Sequence, residues 1–164
     1  MSRYNTIIPN DVVNGRGVCV SFWVQGCPHR CPGCFNEETW DFDKGQEYTS
    51  EIKWDIIKAI SANDIQRNFS VLGGEPLALQ NIEMTKEVID AVRHAYPNIE
   101  ITVWTGYTME EIQKDKRMKD TLSEANVLIE GPFIEDLKDL NLRLRGSSNQ
   151  HIWKQLNNKW EIEE

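Results

Sequence analysis

Beyond residue 18 the apolar positions alternate between two rhythms. "VCVSFWV", Val18 to Val24, is a short β-branched and aromatic run and predicts a strand. "SEIKWDIIKAI" then spaces Ile52, Ile56 and Ile60 by four, the period of one helical face, behind Ser50 as N-cap. "FSVL", Phe69 to Leu72, predicts a second strand that stops at "GGEP". In "NIEMTKEVIDAVRHAYP", Met84, Val88, Ala91 and Ala95 share a helical face, and Pro97 ends the helix. "IEITVW", Ile99 to Trp104, predicts a third strand, closed by "TGY". Thr108 and Glu111 then stand in capping-box relation and open another helix. "NVLIE", Asn126 to Glu130, predicts a fourth strand, closed by "GPF". After Phe133 the rhythm weakens, and "LRLRGSSNQHIWKQL" reads as a short strand or as irregular chain.

Strands alternating with helices predict an α/β fold with mostly parallel strands joined by right-handed crossovers. Each predicted strand ends in a loop bearing Cys, Gly or Pro, and parallel pairing brings all four loops to one edge, where α/β proteins bind ligands. A chain of 164 residues falls short of the roughly 200 at the low end for a complete eight-unit barrel, so an open sheet or partial barrel is expected. No linker, repeat or low-complexity tract divides it, which predicts one domain over residues 1–164.

Charge removes some functions from consideration. The net charge is −8, and the densest basic stretch, "KDKRMKD" at Lys114 to Asp120, is interrupted by acids on helical sequence. Nucleic-acid binding, which needs a basic stripe to meet phosphates, is disfavoured. The chain has no apolar run of about eighteen residues and its start carries no apolar signal core, so no membrane partner is expected and the location is read as cytoplasmic.

The candidate chemistry sits in "GCPHRCPGCFN", where Cys27, Cys31 and Cys34 follow a C-x3-C-x2-C spacing. In a reducing compartment such spacing points to metal or redox chemistry. Three thiolates leave one coordination position vacant on an iron–sulfur cluster, which usually takes four, and also on a structural zinc site. A zinc knot would need His29, His94 or His151; His29 lies inside the loop and cannot wrap back without strain. From the cysteines alone, cluster and zinc stand level. Cys19, alone in an apolar run, reads as a small buried hydrophobe. Gly73-Gly74-Glu75-Pro76 at the next strand end permits close backbone approach and adds an acceptor for an ammonium group, although the same four residues also describe a plain turn.

CxxxCxxC after the first strand and GGE(P) after the second resemble the radical S-adenosylmethionine superfamily. "DVVNGRG", "GCPHRCPGCFNEETWDF", "LGGEPL", "VWTGY" and "LIEGPFIEDLKDLNLRLRGSSNQ" together resemble, over nearly the whole chain, the activating proteins of anaerobic ribonucleoside-triphosphate reductase. Many superfamily members carry an aromatic residue before the third cysteine; here Gly33 stands there and Phe35 follows, as in those activating proteins.

The resemblance implies a radical-SAM-type partial β/α barrel. It implies a [4Fe–4S] cluster ligated by Cys27, Cys31 and Cys34, with S-adenosylmethionine on the fourth iron. Gly73, Gly74 and Glu75 would hold the methionine amine, and Gly33 and Phe35, flanking Cys34, would lie along the adenosine, with Thr105 or Tyr107 contributing. Reductive cleavage would give a 5′-deoxyadenosyl radical that takes a hydrogen from a glycine of the reductase's large subunit, with a cytosolic electron donor as second partner. The segment Gly131 to Gln150, with Arg143 and Arg145, is expected to face the reductase or else to be a solvated closing segment. Three rival readings remain: activation of another glycyl-radical enzyme, a small 7-deazapurine-forming enzyme, and a non-enzymatic zinc-stabilised binding module.

Overall fold

A computed structural model describes residues 2–164. Eight strands form one open sheet in the order β3-β1-β2-β4-β5-β6-β7-β8. They are β1 (Arg3–Asp11), β2 (Cys19–Val24), β3 (Gln46–Glu47), β4 (Asn68–Gly73), β5 (Ile101–Trp104), β6 (Val127–Glu130), β7 (His151–Leu156) and β8 (Lys159–Ile162). The helices are α1 (Ser50–Ile60), α2 (Ile82–Ala95), α3 (Met109–Gln113) and α4 (Lys116–Thr121). None of the described helices is long and apolar enough to cross a membrane.

The four predicted strands are β2, β4, β5 and β6, and they pair in parallel with one another. The expectation of a mostly parallel sheet is corrected by the flanks: β1, β3, β7 and β8 all pair antiparallel, so four of the seven pairings are antiparallel and the sheet does not close. Of the flanking strands only β7 falls in a segment read as a short strand or irregular chain; β1, β3 and β8 carry too little apolar signal to show in the sequence. β1 reads "RYNTIIPND" with a proline inside it, and in β7 and β8 only Ile152 is buried. A local cue did exist. Asn157 and Asn158 have φ of 52° and 63°, the double left-handed conformation that joins a tight antiparallel hairpin.

The helices largely follow their patterns. Thr49, not Ser50, is the N-cap of α1. The Thr108 box is present: Thr108 Oγ1 accepts from the Glu111 amide at 3.2 Å while Glu111 Oε1 accepts from the Thr108 amide at 3.0 Å. That helix breaks at Asp115, whose carboxylate caps α4 by accepting from the Met118 amide. On α2 the buried face is Met84, Thr85, Val88, Ile89 and Val92; Ala95 is exposed.

Alternation gives the sheet two unlike faces. Val20, Phe22 and Val24 of β2, Phe69 and Val71 of β4, and Ile101 and Val103 of β5 join Ile56, Val88, Ile112 and Leu122 of the helical layer in the main core. Full burial of each such side chain contributes about 1.5–3 kcal/mol. The other face carries a smaller cluster, Val127, Ile129 and Ile152 with Trp104 and Leu144, together with the hydroxyls of Ser21, Ser70 and Thr102. Asp11 ties the loop after β1 to this face. Its carboxylate accepts from the Val13 and Asn14 amides, from Asn14 Nδ2, and from Ser21 Oγ at 2.7 Å.

Candidate functional site

Parallel pairing brings the C-terminal ends of β2, β4, β5 and β6 to one edge, where a cavity of about 500 Å³ opens. Cys27, Cys31, Cys34 and Phe35 line it from the loop after β2, Gly73, Gly74 and Glu75 from the loop after β4, and Thr105 and Gly106 from the loop after β5. Of the expected site residues, Gly33 is not among the lining groups; it packs beside the Glu135 carboxylate. Tyr107 also stays off the wall and stacks edge-on against His29, with ring centres 4.6 Å apart.

The cysteine loop is pinned at both ends. The Gly26 and Cys27 amides donate to the carbonyls of Thr39 and Trp40, and the Cys34 amide closes a turn onto the Cys31 carbonyl at 3.1 Å. The Asn36 amide donates to Cys34 Sγ at 3.4 Å. Burial, aided by the nearby charges of Glu75 and Cys31, pushes the Cys27 thiol up to about 11. A thiol so placed becomes a thiolate when a cation binds it.

The loop after β4 sits almost against the cysteine loop. The Gly74 amide donates to the Val24 carbonyl and the Glu75 amide to the Gly26 carbonyl; a Cβ at position 74 would collide with the Gly26 backbone. Only glycine allows that approach. Glu75 itself is 1% exposed. Its Oε1 accepts from His29 Nε2 at 2.7 Å and the Gly106 amide at 2.7 Å, and its Oε2 accepts from the Leu77 amide and Thr105 Oγ1, both at 2.8 Å. Burial works to lower the His29 pKa, but the Glu75 carboxylate prevails and holds it above the usual imidazole value.

Three free thiols around one cavity are a donor set suited to an iron–sulfur cluster. Among the described residues no group of three or more His, Cys, Asp or Glu is placed to hold a metal ion. By donor chemistry, three cysteines on one loop fit an iron–sulfur cluster.

Comparison with known proteins agrees. A family model described as a 4Fe-4S single cluster domain matches residues 13–153. The Escherichia coli K12 anaerobic ribonucleoside-triphosphate reductase-activating protein is 38% identical over 151 residues, which cover 92% of this chain and 97% of that protein. Proteins of the same name from Pasteurella multocida and bacteriophage T4 are each 34% identical, over 93% and 96% of this chain and 97% of theirs. The chain belongs to the anaerobic ribonucleoside-triphosphate reductase-activating protein family.

Within this activating-protein chain the remaining candidates fall outside the thiol set. Cys19 is 1% exposed at the start of β2, about 17 Å of strand from the cysteine loop, and its Sγ contacts the Arg16 carbonyl at 3.4 Å. His151 Nδ1 lies 2.8 Å from Glu130 Oε1, and His94 is exposed near the end of α2. Arg143 and Arg145 pair with the chain's own C-terminus: Arg143 with Glu163 and Glu164, Arg145 with Glu164 at 3.3 Å. Arg145 is only 13% exposed and also lines the cavity.

Sequence reasoning missed the wall below the thiols. Trp23, Trp104, Phe133 and Leu144 line it, and Trp104 Nε1 donates to the Leu144 carbonyl at 2.9 Å. A signal was available, because a tryptophan near the C-terminal end of each of two parallel strands points to the side opposite the helices once register is known.

Proposed function

We propose that this chain is an iron–sulfur activase that uses S-adenosylmethionine to install a glycyl radical on the large subunit of anaerobic ribonucleoside-triphosphate reductase. One observation carries the reading: three half-buried thiols and the glycine-rich end of β4 line one cavity, with no fourth cysteine near. Cys27, Cys31 and Cys34 would hold a [4Fe–4S] cluster and leave one iron open. When bound, the cluster supplies an open iron and one electron, so that S-adenosylmethionine yields methionine and a 5′-deoxyadenosyl radical that takes a hydrogen atom from the target glycine.

The chain's own contribution is to orient and to shield. The Gly73–Glu75 edge receives the methionine ammonium, while Phe35, with Gly33 shaping the loop beside it, flanks the adenosine. Trp23, Trp104 and Phe133 exclude water from the reacting end of the cavity. Residues 1–164 act as one domain whose parallel strands form the partial radical-SAM-type barrel. The partners are the reductase and an electron donor in the cytoplasm; Arg143, half exposed on the loop after β6, belongs to the reductase-facing side.

Anaerobically reconstituted protein, mixed with reductant, S-adenosylmethionine and the reductase, should give a protein-based glycyl radical in electron paramagnetic resonance. No such signal with the reductase, alongside one with a different glycyl-radical enzyme, would reassign the partner.

A further inference from the structure

His29 lies between two candidate cluster ligands yet has no part in the reading above. Its surroundings are specific. The imidazole is held by Glu75 Oε1 at 2.7 Å, packs edge-on to Tyr107, and lies over Gly106, where a Cβ would come within 2.6 Å of the ring. An ionised carboxylate can only accept, so Nε2 is the protonated nitrogen. Cys27 lies two residues before His29 and Cys31 two residues after it, so a movement of the ring reaches both ligand positions through a short stretch of backbone.

The carboxylate at the centre is saturated. It offers about four acceptor positions, and His29, Leu77, Thr105 and Gly106 take them all. These donors come from three separate loops, those after β2, β4 and β5. A ligand ammonium at this carboxylate would have to evict one of them, which leaves it the backbone carbonyls of the Gly73–Glu75 edge, where that of Gly73 accepts from Asn36 Nδ2 at 3.4 Å. The buried charge is thus used to fasten loop to loop.

We propose that His29 and Glu75 form a positioning pair that locks the arc between Cys27 and Cys31 onto the ends of β4 and β5 and presets the sulfurs before metal or ligand arrives. The metal-related consequence rests on the proposed iron–sulfur function; the lock itself belongs to the metal-free chain and is tested there.

Amide hydrogen exchange on metal-free protein gives the first readout, with His29→Ala, His29→Gln, Glu75→Gln and the double variant His29→Ala/Glu75→Gln. Loss of a buried, charge-assisted bond should speed exchange in residues 27–34 and 105–107 by about tenfold in His29→Ala. His29→Gln, whose side-chain N–H reaches toward the same carboxylate, should return to within about threefold of the parent. The double variant should exchange no faster than the faster single one, because both remove one lock. Reconstituted proteins should lose iron to a chelator in the same order. Should His29→Ala fail to fold, His29→Phe keeps a ring against Tyr107 without the donor, and takes its place in the comparison. Parent-like exchange in His29→Ala, no recovery in His29→Gln, or multiplied effects in the double variant each overturn the pair. Failure of the parent to take up iron would instead overturn the proposed function, with the exchange result still deciding the lock.

Discussion

The two faces of the same parallel strands differ in character. On β2, Val20, Phe22 and Val24 are fully buried against the helical layer, while Cys19, Ser21 and Trp23 alternate with them on the other side. The pattern repeats on β4, with Phe69 and Val71 against Ser70 and Leu72, and on β5, with Ile101 and Val103 against Thr102 and Trp104. Helix-facing positions are filled by carbon alone. Of their neighbours, Trp23, Leu72 and Trp104 line a cavity that no helix fills, while Ser21, Ser70 and Thr102 are buried on the same face. Stability is concentrated on one face and chemistry at the upper edge of the other, so single substitutions should separate the two.

The largest separation should come from the thiols. Cys27→Ala, Cys31→Ala and Cys34→Ala should each cut 5′-deoxyadenosine formation by more than about 100-fold, because two thiolates cannot hold the cluster. Thermal unfolding of the metal-free chain should hardly change, since all three sit on a loop outside the core. A comparable loss of folding would erase the distinction between the faces. On the opposite side, Phe22→Ala should cost about 3–5 kcal/mol in denaturant unfolding, the range for removing a fully buried aromatic ring. Iron uptake by the fraction that stays folded should persist.

Asp11→Asn probes the lower part of the open face and should cost about 1–3 kcal/mol at neutral pH by weakening bonds to a buried carboxylate. Burial works to raise the Asp11 pKa, but hydrogen bonds from Asn14, Ser21 and Val13 outweigh it and hold the group below its ordinary 3.8. A depressed carboxylate stabilises the fold fully above the unfolded value and loses that contribution as pH falls through the folded one. The gap between parent and Asp11→Asn should therefore stay level from pH 7 to about 4 and shrink below it. A gap that widens on acidification would contradict the assigned hydrogen bonds. Cys19→Ala should cost only about 1 kcal/mol and leave iron content intact; loss of iron would put Cys19 in the site. Smallest of all, Glu163→Gln should change stability by less than about 1 kcal/mol, because its pairs with Arg16 and Arg143 are partly solvated and salt-screened.

What the sequence made legible follows the same division. Val18–Val24, Phe69–Leu72, Ile99–Trp104 and Asn126–Glu130 were visible because strands covered by helices must be apolar, and each lies on an observed parallel strand to within two residues. β1, β3 and β8 were not, and β7 only as a short strand or irregular chain, because all four carry mixed residues with little apolar signal; β3 and β8 are the edges of the sheet. Cys27, Cys31 and Cys34 were legible because metal ligation imposes spacing within a single loop. The partners of Glu75 were not, because Thr105 and Gly106 lie thirty and thirty-one positions away and only the parallel register brings them to the carboxylate. His29 was weighed as a zinc ligand and set aside for its place inside the loop; its bond to Glu75 spans 46 positions and shows only in the fold.

Iron content and S-adenosylmethionine cleavage, measured together on anaerobically reconstituted protein, test the central claim most directly. The account predicts about four irons per chain and reductant-dependent 5′-deoxyadenosine, with both lost on replacing any of Cys27, Cys31 or Cys34. Stoichiometric zinc in place of iron, or a cluster whose fourth iron is already ligated by a side chain of this protein, would contradict it.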